Sequence, residues 1–253
     1  MKTRVLVAVK TYPQLSSRHI ETVCTAGVTE DGDWIRVYPI PYRLMDKKQR
    51  FRKYQWIEAD IERDTRDPRH ESHRLAGIIK PLGVLGTADG WSNRKRHLLQ
   101  TVFTDLSELI EEARDVGIYT SLAVFKPKRI LRFSVEKVVI GTDIRKKRQR
   151  LSRQAEKLAD LVPYRFYYTF EDENGRRSRL QITDWEIYQL CRKLMRKYGN
   201  RRMVIYEHLK RKYFDELVAS RDVYFFLGTT RHWHIRRSRN PFMIVGVFYP
   251  PKE

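Results

Sequence analysis

Cysteine is scarce: Cys24 and Cys191 are the only two in 253 residues. They supply neither a disulfide framework nor the ligand set of a structural zinc site. No apolar run approaches the roughly 18 residues that a membrane-crossing helix needs, so no membrane association is expected. The opening MKTRVLVAVKTYP carries an apolar run of only five residues, short for a secretory signal, and is expected to form a first strand instead. The expected compartment is therefore the cytoplasm. P-loop, GxGxxG, CxxC and GxSxG motifs are all missing, which removes the usual signatures of nucleotide, dinucleotide and serine-hydrolase sites. No catalytic residue, metal or cofactor is assigned on this reading. Acidic residues are the minority, 31 against 51 Lys and Arg, for a net charge of +20.

That excess runs along the whole chain, and a folded domain this basic most often meets a polyanion, usually nucleic acid. Hydrophobic residues make up 41%, enough for a core and against wholesale disorder. The stretch ETVCTAGVTEDGDWIRVYPIPYR, residues 21–43, reads as two strands joined at Asp31-Gly32, a strong hairpin signal. Alternation puts Ile35 and Val37 on one face of the second strand and Trp34, Arg36 and Tyr38 on the other. An aromatic–cation–aromatic row is the chemistry that stacks bases and holds phosphates. Burial of the two aromatics under a loop is the competing reading.

Further strands are expected over residues 54–63, 78–85, 122–125 and 130–138, and a helical stretch over 92–116 with a second start at Asp105. The densest basic run, Arg145 to Arg150, sits in an expected helical linker. An aromatic strand, YRFYYTF, then turns at Asn174-Gly175 into its partner. Thr183 is the expected cap of a helix ending at Gly199, and a second helix covers residues 201–218. Two central strands, 222–227 and 242–249, bracket the long basic and aromatic loop GTTRHWHIRRSRNP. The expected fold class is α+β, mostly β-rich: two OB-like barrels with inserted helices. Residues 1–140 form the first, 141–162 the basic helical linker, and 163–253 the second with its two inserted helices.

The stretches ETVCTAGV, WIRVYPIPYR, KYQWIEADIERD, SLAVFKPKRI, ITDWEIYQL, YFFLGTTRHW and MIVGVFYPP span both halves. In them the chain resembles the dual OB-containing domain family of uncharacterised prokaryotic proteins. The resemblance implies two OB-like barrels, a nucleic-acid-binding role and an accessory function in a mobile-element or defence setting. It implies no reaction.

The expected interface draws on Trp34, Arg36, Tyr38, Arg43 and Arg52 in the first half. In the second half it draws on Arg231, His232, Trp233, His234, Arg236 and Arg237. Its expected partner is DNA or RNA, single-stranded or structured, with protein partners in a larger complex also open. A metal-dependent nuclease is one alternative, because Asp64, Asp67, His70, Glu71 and His73 share one loop and such groups can hold a divalent ion. Four arginines interleave with them, which makes charge balance an equal explanation. A basic subunit docking onto a ribonucleoprotein or protein complex is the other alternative.

Overall fold

Alternation of buried and open side chains builds most of this molecule. The structure is a computed structural model that describes residues 2–16, 20–138, 162–199 and 201–252. The described residues form a mixed α/β arrangement, richer in strand than in helix, with two sheets. No helix among them is long and apolar enough to cross a membrane.

The first sheet contains β1 (Lys2–Lys10), β2 (Gln14–Ser16), β3 (Ile20–Val28), β4 (Trp34–Ile40), β5 (Gln55–Arg63) and β6 (Ser72–Val84). Its order is β1-β5-β6-β4-β3-β2, and β1 also pairs with β3. Five strands thus pair in a ring. Every pairing in it is antiparallel except β4 with β6. Gly27 is required where β3 meets β1, since a Cβ there would stand 2.1 Å from the Leu6 carbonyl oxygen.

The second sheet contains β7 (Val102–Phe103), β8 (Leu122–Phe125), β9 (Arg129–Lys137), β10 (Tyr164–Glu171), β11 (Arg177–Ile182), β12 (Tyr224–Thr229) and β13 (Phe242–Phe248). Its order is β7-β8-β12-β13-β11-β10-β9. Only Lys126, Pro127 and Lys128 separate β8 from β9. The expected division at residue 140 is not where the sheets divide. β7, β8 and β9 all precede it, yet all three belong to the second sheet, so the sheets part between Val84 and Val102. The expected linker over 141–162 lies outside the described residues apart from Val162, which is buried in the second sheet's core.

The helical stretch expected over 92–116 divides into helix α1 (Ser92–Leu98) and helix α2 (Leu106–Arg114), the second starting at Asp105 as expected. Val102 and Phe103 pair parallel with Val124 and Phe125 and interrupt it. Asp105 caps α2 by accepting from the Ser107 N–H. Helix α3 (Trp185–Tyr198) buries Ile187, Tyr188, Cys191 and Leu194, the three-and-four spacing of one helix face. Gly199 ends it at φ 60°, a left-handed value that suits glycine. Helix α4 (Arg202–Lys210) continues through a π-helical segment, Arg211–Glu216, into a last turn, Leu217–Ser220. Helix α5 (Arg231–Ile235) occupies what the sequence suggests is a plain loop.

Three apolar clusters follow from the strand faces. Val5, Val7, Ile35, Val37 and Ile57 fill the first ring. Ala123, Phe125, Phe166, Phe225 and Leu227 join α2, α3 and α4 in the second core. The neighbours in between, Leu6, Ala8 and Val28 from one sheet and Leu122, Val124 and Phe226 from the other, form the third. Odd and even positions of the same strands therefore serve different cores, and the outer faces of the two sheets are packed on each other.

Candidate nucleic-acid interface

That packing decides the fate of the Trp34–Arg36–Tyr38 row. Trp34 meets the ring of Phe226 edge-on at 5.7 Å and belongs to the cluster between the sheets. Arg36 is only 4% exposed. Its guanidinium donates to Ser72 Oγ at 3.3 Å, Ser121 Oγ at 2.8 Å and the Ser121 carbonyl at 3.0 Å. Burial, with Arg69 nearby, lowers its pKa from the ordinary arginine value. Only Tyr38, 46% exposed, keeps the open position expected of it. Trp34 and Arg36 are corrected from surface contacts to parts of the seam between sheets, because the second sheet covers the face that alternation left free.

The acidic loop is also spent on this seam. Glu71 is buried and accepts from the N–H groups of Ser121 and Leu122, at 2.8 and 3.1 Å, and from Ser121 Oγ at 2.8 Å. Asp67 takes a two-pronged bond from Arg69, 2.9 and 2.5 Å, and Arg69 also reaches the Thr229 carbonyl at 2.6 Å. Fixed forks of this kind suit arginine and carboxylate. Among the described residues no group of three or more His, Cys, Asp or Glu side chains could hold a metal ion.

A second polar link lies across the seam. Lys53 Nζ, buried, bonds Asp184 Oδ2 at 2.9 Å and Glu186 Oε2 at 3.3 Å. Burial alone would push this ammonium down, but Asp184, Tyr54 and Glu186 together hold its pKa well above the usual lysine value. Asp184, not Thr183, caps α3, accepting from the Glu186 N–H at 3.0 Å, and it also accepts from Val247 N at 3.0 Å. Lys10 lies over the rings of Tyr42 and Trp185 at 4.0 and 4.7 Å, and burial pushes its pKa down to about 8. Arg43 stands 5.5 Å from the Trp185 ring. Arg52 is exposed.

The residues expected from the second half lie on and after α5. Thr230 caps this short helix by accepting from the Trp233 N–H at 3.3 Å. Arg231 donates to the Arg66 carbonyl at 2.7 Å, tying α5 to the acidic loop. Trp233 is 47% exposed and meets His232 edge-on at 4.9 Å, and Arg236 and Arg237 are exposed. His234 is the correction here: it is 2% exposed and turned inward, with Nδ1 3.3 Å from Thr229 Oγ1. One turn of helix puts His232 and His234 on different sides. Burial first, and Arg69 next, push the His234 pKa down to about 4.

The sequence reading passed over the open face of β9, β10 and β11. Along β10 the residues Tyr164, Phe166, Tyr168 and Phe170 are buried, while Arg165, Tyr167, Thr169 and Glu171 alternate with them on the other side. Pairing brings Arg165 opposite Glu136, Tyr167 opposite Ser134 and Gln181, and Thr169 opposite Arg132 and Arg179. Glu171 is flanked by Arg129 and Arg177, each at 3.5 Å, and Arg179 pairs with Glu136 at 2.5 Å. The Arg179 guanidinium lies 3.6 Å from the centre of the Tyr167 ring. Five arginines thus share this face with two carboxylates and one tyrosine. The signal was the period-two pattern of YRFYYTF, which already separates Arg165 and Tyr167 from the core positions.

A model of a domain of unknown function (DUF8758) matches residues 1–100, and a model of a second domain of unknown function (DUF8757) matches residues 101–253. No curated protein matches the chain.

Proposed function

From the premise that this chain belongs to the family of DUF8757, whose model covers residues 101–253, we propose that it is a nucleic-acid-binding protein made of two OB-like barrels. What supports the barrel reading is pairing order. In the first sheet, β1, β3, β4, β6 and β5 follow one another around a ring as first, second, third, fifth and fourth strands, with third and fifth parallel. The second sheet has the same order if β8 and β9 count as one strand broken at Pro127. β8 then pairs with β12 and β9 with β10, while β11 and β13 make the parallel pair. The helices α3 and α4 sit between its third and fourth strands.

Barrels of this type bind oligonucleotides on the face of strands two and three and with the connections between strands one and two and between strands four and five. In the first ring that face is covered by the second sheet. In the second ring it is the open face carrying Arg132, Arg165, Tyr167, Arg177 and Arg179. The connection between its fourth and fifth strands is the segment of α5, with Arg231, Trp233, Arg236 and Arg237. The observation that carries the proposal is this open basic face with a tyrosine at its centre, on a chain of net charge +20.

The test is fluorescence anisotropy with labelled single-stranded DNA and RNA between about 50 and 200 mM salt. Affinity falls as salt rises, with a log–log slope of about −0.7 per phosphate contacted. Arg165→Gln with Arg179→Gln flattens that slope, and Tyr167→Ala weakens binding by about 1–3 kcal/mol, the scale of one lost base stack. Binding that ignores salt, or that survives all three substitutions unchanged, overturns the proposal.

A further inference from the structure

A cavity of about 230 Å³ opens on the seam between the two sheets. It is smaller than the roughly 300–1,000 Å³ of sites that enclose a drug-sized ligand, so an occupant of that size would stand partly outside its mouth. Its floor is apolar: Val9 and Ala26 from the first sheet, Leu122, Met243 and Val245 from the second. Three arginines line it as well, Arg36, Arg69 and Arg231, and Tyr38 stands at its edge.

The charges are not balanced. Arg69 is matched by Asp67. Glu71, the other buried carboxylate of the loop, is engaged by two N–H groups and a hydroxyl of Ser121 and Leu122. Arg36, buried, has no carboxylate among the described residues within ion-pair distance, and its bonds go to two serine hydroxyls and a carbonyl. Arg231 bonds a carbonyl, not an acid. A guanidinium has five N–H donors, and Arg36 and Arg69 use three each on the described residues. Burying a cation with no carboxylate beside it is costly, and each of these guanidiniums keeps two N–H donors beyond the bonds above, donors of the kind that suit phosphate oxygens.

We propose that this cavity binds one nucleoside phosphate, its phosphate against Arg36, Arg69 and Arg231 and its nucleoside on the apolar floor beside Tyr38. Inorganic phosphate alone would leave that floor bare, and an uncharged apolar ligand would leave the arginines unmatched. The nucleoside phosphate could be a free mononucleotide or the phosphorylated end of a strand. The strand-end source rests on the nucleic-acid reading above; the cavity's own chemistry does not.

The experiment is isothermal titration of the full chain with adenosine monophosphate, adenosine and inorganic phosphate. It is followed by anisotropy with one oligonucleotide carrying either a 5′-phosphate or a 5′-hydroxyl. The monophosphate binds at least tenfold more tightly than either adenosine or phosphate. Arg231→Gln and Tyr38→Ala, both at exposed positions and checked by thermal melting, each weaken it severalfold, and Arg36→Lys abolishes it. A tenfold preference for the 5′-phosphorylated strand assigns the site to strand ends. Equal affinity for both strands, with monophosphate binding retained, assigns it to free nucleotide. No binding of the monophosphate at millimolar concentration overturns the proposal, even where the 5′-hydroxyl strand binds well. Binding that the Arg231 and Tyr38 variants leave untouched overturns it too.

Discussion

His234 is a histidine that folding keeps neutral. It is buried beside Thr229, with the Tyr119 ring 5.3 Å away, and its Nε2 has no hydrogen-bond partner among the described residues. Arg69 and Arg36 add positive potential that Asp67 and Glu71 only partly offset. In the unfolded chain this imidazole titrates near pH 6.5, whereas in the fold it titrates at about 4. Between those values the unfolded state binds more protons, so stability is lost as pH falls. The loss begins below pH 6.5 and is complete below about 4, and it amounts to roughly 3 kcal/mol at one pKa unit per 1.36 kcal/mol. Denaturant unfolding at pH 7, 5.5 and 4 measures it. His234→Gln, neutral throughout, should remove that part of the acid dependence. A variant with the same dependence as the parent would show that other groups carry it.

Helix α5 shows how local signals and long-range packing divide the work. Trp233 stands open at the end of a cap made by Thr230, so removing it takes away exposed surface and little core. Trp233→Ala should therefore change stability by no more than about 0.5 kcal/mol and cost about 1–3 kcal/mol of single-strand affinity. Melting many degrees lower, with normal binding when folded, would make it a structural tryptophan. The hairpins were legible because Asp31-Gly32 and Asn174-Gly175 lie between alternating runs, and both appear, as β3–β4 and β10–β11. The start of α3 was legible to within one residue: an acid and a threonine stand side by side, and Asp184 takes the cap because its carboxylate also serves Lys53 and Val247. The fate of Trp34 and Arg36 was not legible. Alternation tells which residues share a face, but what covers that face comes from residues 85 or more positions away, Ser121 and Phe226. The same limit hid the outer face of β10, since nothing local says that a second sheet lies over Trp34 while, among the described residues, only the Arg179 side chain lies over Tyr167.

The two family matches meet between residues 100 and 101, yet the contacts across that boundary are those of a core. Leu6, Ala8, Ala26 and Val28 pack with Leu122, Val124, Phe226, Val245 and Phe248. Polar ties accompany them: Lys53 to Asp184, Glu71 to Ser121 and Leu122, Arg69 to Thr229, and Tyr12 N to the Thr183 carbonyl at 2.8 Å. Separating the halves would return this apolar face to water, at roughly 25 cal/mol for each Å² exposed, and would break these polar ties. Neither half should therefore unfold while the other stays intact. Phe226 tests this, because it is fully buried and meets both Trp34 and Phe248 at ring distances of 5.7 and 5.8 Å. Phe226→Ala should cost about 3–5 kcal/mol, as for other large buried aromatics. If the seam is a true core, hydrogen exchange should speed up by a similar factor in the most protected amides of both sheets, β5 of the first and β10 of the second included. Faster exchange confined to the second sheet, or two separate unfolding transitions in the parent chain, would mean that the halves are docked bodies and that the seam contributes little to either.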